Sequence, residues 1–300
     1  FQFEKIVSQL IQKHHQTILE VNLAAMRHNL QVYARQLHSS TKIMVMVKAS
    51  AYGVGSTEIA RLLSAQPIHY LAVAYTDEGI ALRQAGIQLP ILVLNPEESS
   101  VNALIQHRLE PEIFSIPQLE RMIELLNLES AALNSFAIHL NLDTGMVRLG
   151  LTAADFTALF QLLSQYPALH IKSIFTHLSS SDVPRNDRFT EQQITLFQQY
   201  YTKITTEIGY QPTRHVLNST GISRFPQYQM EMVRLGIGLY GYDGNPLQAS
   251  RLETVHTLKA GISQIKLVKK GTSIGYGRKG RVTRDSHIAT VSIGYADGLL

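Results

Sequence analysis

IMVMVKASAYGVGSTEIARLLSAQPIHYLAVA, from Ile43 to Ala74, reads as a strand, a helix and the next strand. The apolar run Ile43–Val47 has the length of a buried strand. Ser56 is placed to cap a helix whose Ile59, Leu62 and Leu63 share a face, and Tyr70–Ala74 is apolar again. The same alternation continues outward. Strand candidates recur at Ile91–Leu94, Phe136–Leu142, His170–Phe175 and His215–Leu217. Thr76-Asp77-Glu78 opens a helix that ends at Gly86. Leu119, Met122, Ile123 and Leu126 keep helical spacing, as do Phe156, Leu159, Phe160 and Leu163 after Thr152. Repeated strand–helix units with short connections make a parallel sheet, either a closed barrel or a doubly wound layer. In the fourth strand candidate Phe136, Ile138, Leu140 and Leu142 alternate with Ala137, His139, Asn141 and the following Asp143. Polar side chains along one strand face fit a barrel interior that opens into a site at its mouth.

Past Asn245 the pattern changes. Val255 to Leu300 has no long helical periodicity, and Gly and basic residues punctuate strand-like pieces at Gln264–Val268 and Ile288–Ile293. The expected organisation is a linker or extension over residues 1–16, where Phe3, Ile6, Leu10 and Ile11 keep helical spacing. A (βα)8 barrel over residues 17–249 follows, and then the beginning of a β-rich domain over residues 250–300. The start at Phe1 and the end Tyr295-Ala296-Asp297-Gly298-Leu299-Leu300 raise the expectation of a chain cut from something longer, with an incomplete C-terminal domain.

Composition narrows the function. At 45% hydrophobic and 17% charged residues, the 300-residue chain can bury a large core. Lys and Arg number 27 against 23 acids, a net +4 spread along the chain, so no nucleic-acid arm is expected. With no cysteine there is no disulfide, thiolate metal site or thiol nucleophile. The 12 histidines show no H-E-x-x-H or similar spacing, so no metal site is expected. No apolar stretch reaches membrane-spanning length and Phe1-Gln2-Phe3-Glu4-Lys5 is no signal peptide, which points to a soluble cytoplasmic protein.

Lys48 ends the run Met44-Val45-Met46-Val47 and precedes Tyr52, Gly53 and Gly55. A lysine at the carboxyl end of a buried strand stands at a barrel mouth. Desolvation there lowers its pKa, as an amine needs to join an aldehyde cofactor. A surface lysine just past a strand end is the other reading, and this segment alone leaves both open. Two G-x-G-x-x-G matches, at Gly236–Gly241 and Gly275–Gly280, lack the early strand–helix unit and following acid of a dinucleotide site.

Val47-Lys48-Ala49-Ser50-Ala51-Tyr52-Gly53 resembles the cofactor-lysine motif of alanine racemases. The resemblance continues in order through Asn141–Gly150, Thr176-His177, Asn218-Ser219, Arg234–Gly238, Ser273–Gly277 and Ile293–Gly298, and so covers nearly all of residues 17–300. It implies a pyridoxal 5'-phosphate isomerase on a TIM barrel that interconverts L- and D-alanine, supplying D-alanine for peptidoglycan and the cell wall. Lys48 would hold the cofactor and act as one base. Tyr276, reaching in from the second subunit of a homodimer with shared sites, would be the other. An ordinary tyrosine pKa is near 10, so Tyr276 needs a nearby cation, for which His177 and Arg234 are candidates. The resemblance places Arg234 on the pyridine nitrogen with His215 supporting it. Tyr52, Ser219 and the backbone of Gly236 and Ile237 fall on the phosphate, and His177 and Asn218 beside the cofactor. Arg148 would face the substrate carboxylate and Tyr295 line the way in.

Two departures stand out. Asn141 occupies a position where many family members carry a carbamylated lysine that pairs with the arginine matching Arg148. An asparagine lacks that charge, so Arg148 is expected to be oriented by Asn141 or by an acquired anion such as chloride. In the family the β-domain also runs well beyond the Tyr295-Ala296-Asp297-Gly298 motif. Residues 1–41 resemble the junction of a bacterial fusion of a peptidoglycan-precursor ligase with a racemase. Competing readings are a broader racemase or a decarboxylase on the same fold, and a non-catalytic cofactor-binding or interaction fragment. Arg234 and the Tyr276 motif weigh against them.

Overall fold

The computed structural model describes residues 17–128 and 136–299, and the helix expected within residues 1–16 lies outside them. The chain divides into two compact units, Asn22–Val255 and a smaller one in which Thr17–Val21 joins the residues from His256 onward. Strand β1 (Thr17–Val21) precedes helix α1 (Leu23–Ala34). Strands β2 (Lys42–Met46), β3 (Tyr70–Val73), β4 (Ile91–Val93), β5 (Glu110–Ile113), β6 (Phe136–Asn141), β7 (Leu169–Phe175), β8 (Thr213–His215) and β9 (Met232–Leu235) follow. Helices α2 (Ser56–Ser64), α3 (Thr76–Gln84), α4 (Val101–Gln106), α5 (Ile116–Leu128), α6 (Phe156–Gln165), α7 (Asp187–Ile208) and α8 (Ser219–Arg224) alternate with them.

The eight strands β2–β9 form one parallel sheet in the order β8-β7-β6-β5-β4-β3-β2-β9. Its two ends meet where the Arg234 amide donates to the Leu217 carbonyl at 2.9 Å, so the sheet is a nearly closed (βα)8 barrel. Alternation along the strands separates two layers. Met44, Met46, Tyr70, Ala72, Leu92, Phe175 and Met232 form one buried apolar cluster. The intervening Val45, Leu71, Val73, Ile91 and Val93 are equally buried, as are Ile59 and Leu63 of α2 and Leu82 of α3. Helix α7 buries Ile194, Phe197, Tyr201 and Ile204, whose spacing of three and four residues puts them on one face. Strands β5 and β9 were not foreseen in the sequence. No helix among the described residues is long and apolar enough to cross a membrane.

In the smaller unit β1 pairs antiparallel with β10 (His256–Ala260), Thr17 opposite Ala260. Strand β11 (Ile262–Val268) pairs with β14 (Ser286–Val291), and the short β12 (Ser273–Ile274) with β13 (Gly280–Arg281). The expectation that residues 17–249 form one barrel thus differs from the structure at its start. Thr17–Val21 is the pairing partner of β10, and the change of unit falls after Val255.

One loop of the barrel unit is set by a close approach of backbone to backbone. After β6 the chain turns back so that Leu151 donates to the Asn141 carbonyl (2.8 Å) and Asp143 donates to that of Leu151 (2.9 Å). Gly150 sits at φ +128, and a Cβ there would meet the Asp143 nitrogen at 2.5 Å. Neither the dihedral nor the contact leaves room for a side chain. Gly150→Ala is expected to cost about 1–3 kcal/mol of stability in chemical denaturation. A midpoint within error of the parent would contradict this account of the loop.

Candidate active site

At the carboxyl ends of the strands lies a cavity of about 480 Å³, where barrel enzymes carry their sites. Lys48 stands on its wall directly after β2. The backbone then turns through four consecutive left-handed residues, Ala49, Ser50, Ala51 and Tyr52, with φ between 52 and 57. Such a turn is unfavourable for residues with a Cβ by about 1–2 kcal/mol each and persists only where the surroundings hold it. The holding group is Glu78 at the start of α3. Its carboxylate accepts from the amides of Ala49 (2.5 Å), Ala74 (2.7 Å) and Tyr75 (3.3 Å), tying the turn to the end of β3. The turn sends Lys48 and Tyr52 to the same cavity.

Arg234 of β9 is 4% exposed. It donates to the carbonyls of His215 (2.6 Å), Thr176 (2.6 Å) and Val216 (3.2 Å) and to Nδ1 of His215 (2.8 Å), and it lies 5.2 Å over the Phe175 ring. Burial lowers its pKa to about 10 while Glu112 pulls the other way, so the guanidinium stays charged at neutral pH. His177 is 3.4 Å from Arg234 through Nδ1. Burial, followed by the charges of Arg234, Arg148 and Lys48, takes its pKa down to about 3. It is therefore uncharged near neutral pH. Of the two cations expected from the sequence to assist a tyrosine base, His177 is not one, because it is buried and shares its surroundings with three other cations.

The opposite wall is built from backbone and hydroxyls. Ser219 accepts from the amides of Gly236 (3.0 Å) and Gly238 (3.1 Å), which uses both acceptor positions of its oxygen and leaves its proton to be donated. Asn218 caps α8 through the Gly221 amide (2.8 Å) and takes a hydrogen bond from Ser181 (2.8 Å). Tyr52 packs on Tyr240 with ring centroids 4.7 Å apart. A Cβ at Gly236 would come within 2.9 Å of the Tyr52 oxygen and 3.4 Å of the Met46 side chain. The place beside Tyr52 and Ser219 therefore admits bare backbone only, a cradle suited to the phosphate of pyridoxal phosphate. Ile237 lines the same wall.

Glu112 of β5, which the sequence reading passed over, also reaches this cavity and is 2% exposed. Asn141 donates to it at 2.8 Å. Burial pushes its pKa up to about 8 against the opposing pull of Asn141, Arg234, Arg148 and Lys48. The Lys48 amine is lowered by burial and by the Arg148 charge, with Glu112 and Glu78 acting in the other direction. Asn141 thus faces a carboxyl of the chain itself, an arrangement that neither expectation for Arg148 included. Arg148 is exposed on the cavity rim. Tyr276 and Tyr295 belong to the smaller unit, where they are 98% and 89% exposed. His215 lies beneath Arg234, fully buried. Among the described residues no group of three His, Cys, Asp or Glu could hold a metal.

A lysine at the end of a barrel strand, a buried arginine on the floor and a hydroxyl-and-glycine cradle opposite define a barrel-type pyridoxal-phosphate enzyme. The alanine racemase N-terminal domain profile matches residues 21–244 and the C-terminal domain profile residues 255–300. The alanine racemase of Sorangium cellulosum is 36% identical over 290 residues, covering 94% of this chain and 76% of that one. The alanine racemase structure of Clostridium difficile 630 superposes with a TM-score of 0.83 at 33% identity, over 95% of this chain and 75% of that one. That of Bartonella henselae, with covalently bound pyridoxal phosphate, gives 0.80 at 25%, over 94% and 77%. The chain belongs to the alanine racemase family, and it is a pyridoxal-phosphate-dependent racemase acting on alanine.

The Glu112 carboxyl sets a pH dependence of stability. Its pKa rises from an ordinary 4.5 to about 8 on folding, so its contribution is fully present below pH 4.5 and is lost as pH rises toward 8. Glu112→Gln removes the ionisation. In cofactor-free protein, the melting temperature of the variant relative to the parent should rise steadily across that window. Parallel melting profiles from acid to alkaline pH would refute the buried, reluctant carboxyl.

Proposed function

We propose that racemisation is carried out by two side chains on opposite faces of the substrate α-carbon, Lys48 on one and Tyr276 on the other. The observation that carries this reading is a lysine, its pKa lowered, in a cavity whose floor is a charged arginine. Bound pyridoxal phosphate supplies the electron sink that makes the α-proton removable. Lys48 would hold it covalently, as the Bartonella henselae enzyme does with a residue of its own. Tyr52, Ser219 and the backbone of Gly236 and Ile237 would take the phosphate, with His177 and Asn218 alongside.

Arg234, supported by His215, would give a hydrogen bond to the ring nitrogen. A guanidinium keeps its proton, so the ring stays a weaker sink and the proton is returned to the α-carbon promptly. Arg148 would bind the substrate carboxylate, and Tyr295 would line the approach. In one direction Lys48 takes the α-proton and Tyr276 gives a proton to the opposite face, which inverts the carbon; in the other direction Tyr276 takes and Lys48 gives. Tyr276, exposed in its own unit, would serve the site of a partner subunit in a homodimer with two shared sites. The enzyme would work in the cytoplasm, and its D-alanine would feed peptidoglycan precursors.

Mixed subunits test the pairing. Homodimers of Lys48→Ala or Tyr276→Phe should each lose about a hundredfold or more in rate. A heterodimer of the two has one site with both bases intact, and about half the parent rate per dimer should return. If proven heterodimers stay as slow as the homodimers, the two residues do not share a site across an interface.

A further inference from the structure

Behind Arg234, on the side away from the cavity mouth, a line of polar side chains crosses neighbouring strands of the barrel. His215 Nε2 lies 2.8 Å from the Ser173 hydroxyl. That hydroxyl lies 2.5 Å from His139 Nδ1, and His139 Nε2 is 2.8 Å from a carboxylate oxygen of Glu110. The other Glu110 oxygen takes the Lys172 ammonium at 2.6 Å. His139, Ser173 and His215 are at most 1% exposed. Both rings are also held in plane, His215 stacked on Phe175 at 4.7 Å and His139 edge-on to Tyr70 at 5.9 Å.

Donor and acceptor counting gives this line one direction. A guanidinium only donates, so His215 Nδ1, which receives Arg234, carries no proton. The His215 proton is then on Nε2 and goes to the Ser173 oxygen. The single hydroxyl proton of Ser173 goes to His139 Nδ1, and the His139 proton, on Nε2, goes to Glu110. A proton added at His139 Nδ1 would leave the buried Ser173 hydroxyl with no acceptor in this line. Charges at the two ends agree with this order. Burial raises the Glu110 pKa, but His139 and Lys172 outweigh it and hold the carboxyl at about 2. Burial and the neighbouring Arg234 keep His215 neutral.

We propose that Glu110 is a positioning residue for Arg234, acting through His139, Ser173 and His215 as a one-directional hydrogen-bond relay. The carboxylate draws on the His139 proton, which makes the far nitrogen of that ring a better acceptor for Ser173. The effect passes on in the same sense until His215 Nδ1 holds the guanidinium more firmly. Its consequence for the reaction rests on the reading that Arg234 meets the cofactor ring.

The test combines Ser173→Ala, Glu110→Gln and the double variant. In cofactor-free protein labelled with 15N-histidine, NMR should show His139 and His215 with their protons on Nε2, and the His215 signal should shift and lose exchange protection in S173A. In the holoenzyme S173A should lower kcat about tenfold with KM within about twofold, the scale on which outer partners of reactive groups act. E110Q should lower kcat by several-fold, and the double variant should be no slower than S173A alone. Multiplying effects in the double variant, or a His215 signal unmoved in S173A, would overturn the relay. Shifted histidine signals with unchanged kcat, and a holoenzyme spectrum indifferent to Arg234→Lys, would overturn the proposal through its premise about Arg234.

Discussion

A buried guanidinium sets the terms for this barrel. Arg234 lies at the seam where the sheet order ends, and its side chain reaches the carbonyls of Thr176, His215 and Val216 from β9 across β8 to the end of β7. An ion removed from water is tolerated only when its donors are satisfied, and removing one partner of such a group costs several kcal/mol. The strand ends that supply those carbonyls are therefore fixed in position. The same contacts put Arg234 and His177 at the cavity, so the seam of the fold and the floor of the site are one construction.

The rest of the interior divides around that ion. Met44, Met46, Tyr70, Ala72, Leu92 and Met232 occupy one side as an apolar cluster. Glu110 of β5, His139 of β6, Ser173 of β7 and His215 of β8 are brought together beside it. Glu78 solves a different problem with the same economy. Three amide hydrogen bonds to one carboxylate offset the left-handed turn after Lys48, and without that turn Lys48 and Tyr52 would not share a cavity.

Much of this was legible in the sequence, and the gaps have physical causes. Ile43–Val47 and Tyr70–Ala74 are apolar enough to declare strands, and Lys48 is conspicuous as the charge that ends one. Strand β5 reads Glu110-Pro111-Glu112-Ile113, two acids about a proline, which local propensity assigns to a turn. Only the polar interior of a barrel makes those acids strand residues. Glu110 and Glu112 were passed over for that reason, and with them the carboxyl that Asn141 faces. Strand β9 was hidden because Arg234 interrupts an otherwise ordinary apolar run. The pairing of Thr17–Val21 with His256–Ala260 joins segments more than two hundred residues apart, beyond the reach of any local signal. His177 shows the limit of reading charge from residue type, since its neutrality comes first from burial and then from three cations that only the fold assembles.

Charge balance then explains why the cavity suits an anionic ligand. Lys48, Arg148 and Arg234 line it together with the acids Glu112 and Asp182. Burial disfavours the Glu112 anion at neutral pH, so this carboxyl does not neutralise the cations beside it. A phosphate seated on hydroxyls and amides, and a carboxylate at Arg148, would supply what the protein withholds. Holding Glu112 as a neutral acid keeps a hydrogen-bond partner for Asn141 in place of a competing charge, and the site's positive potential is left for what it binds.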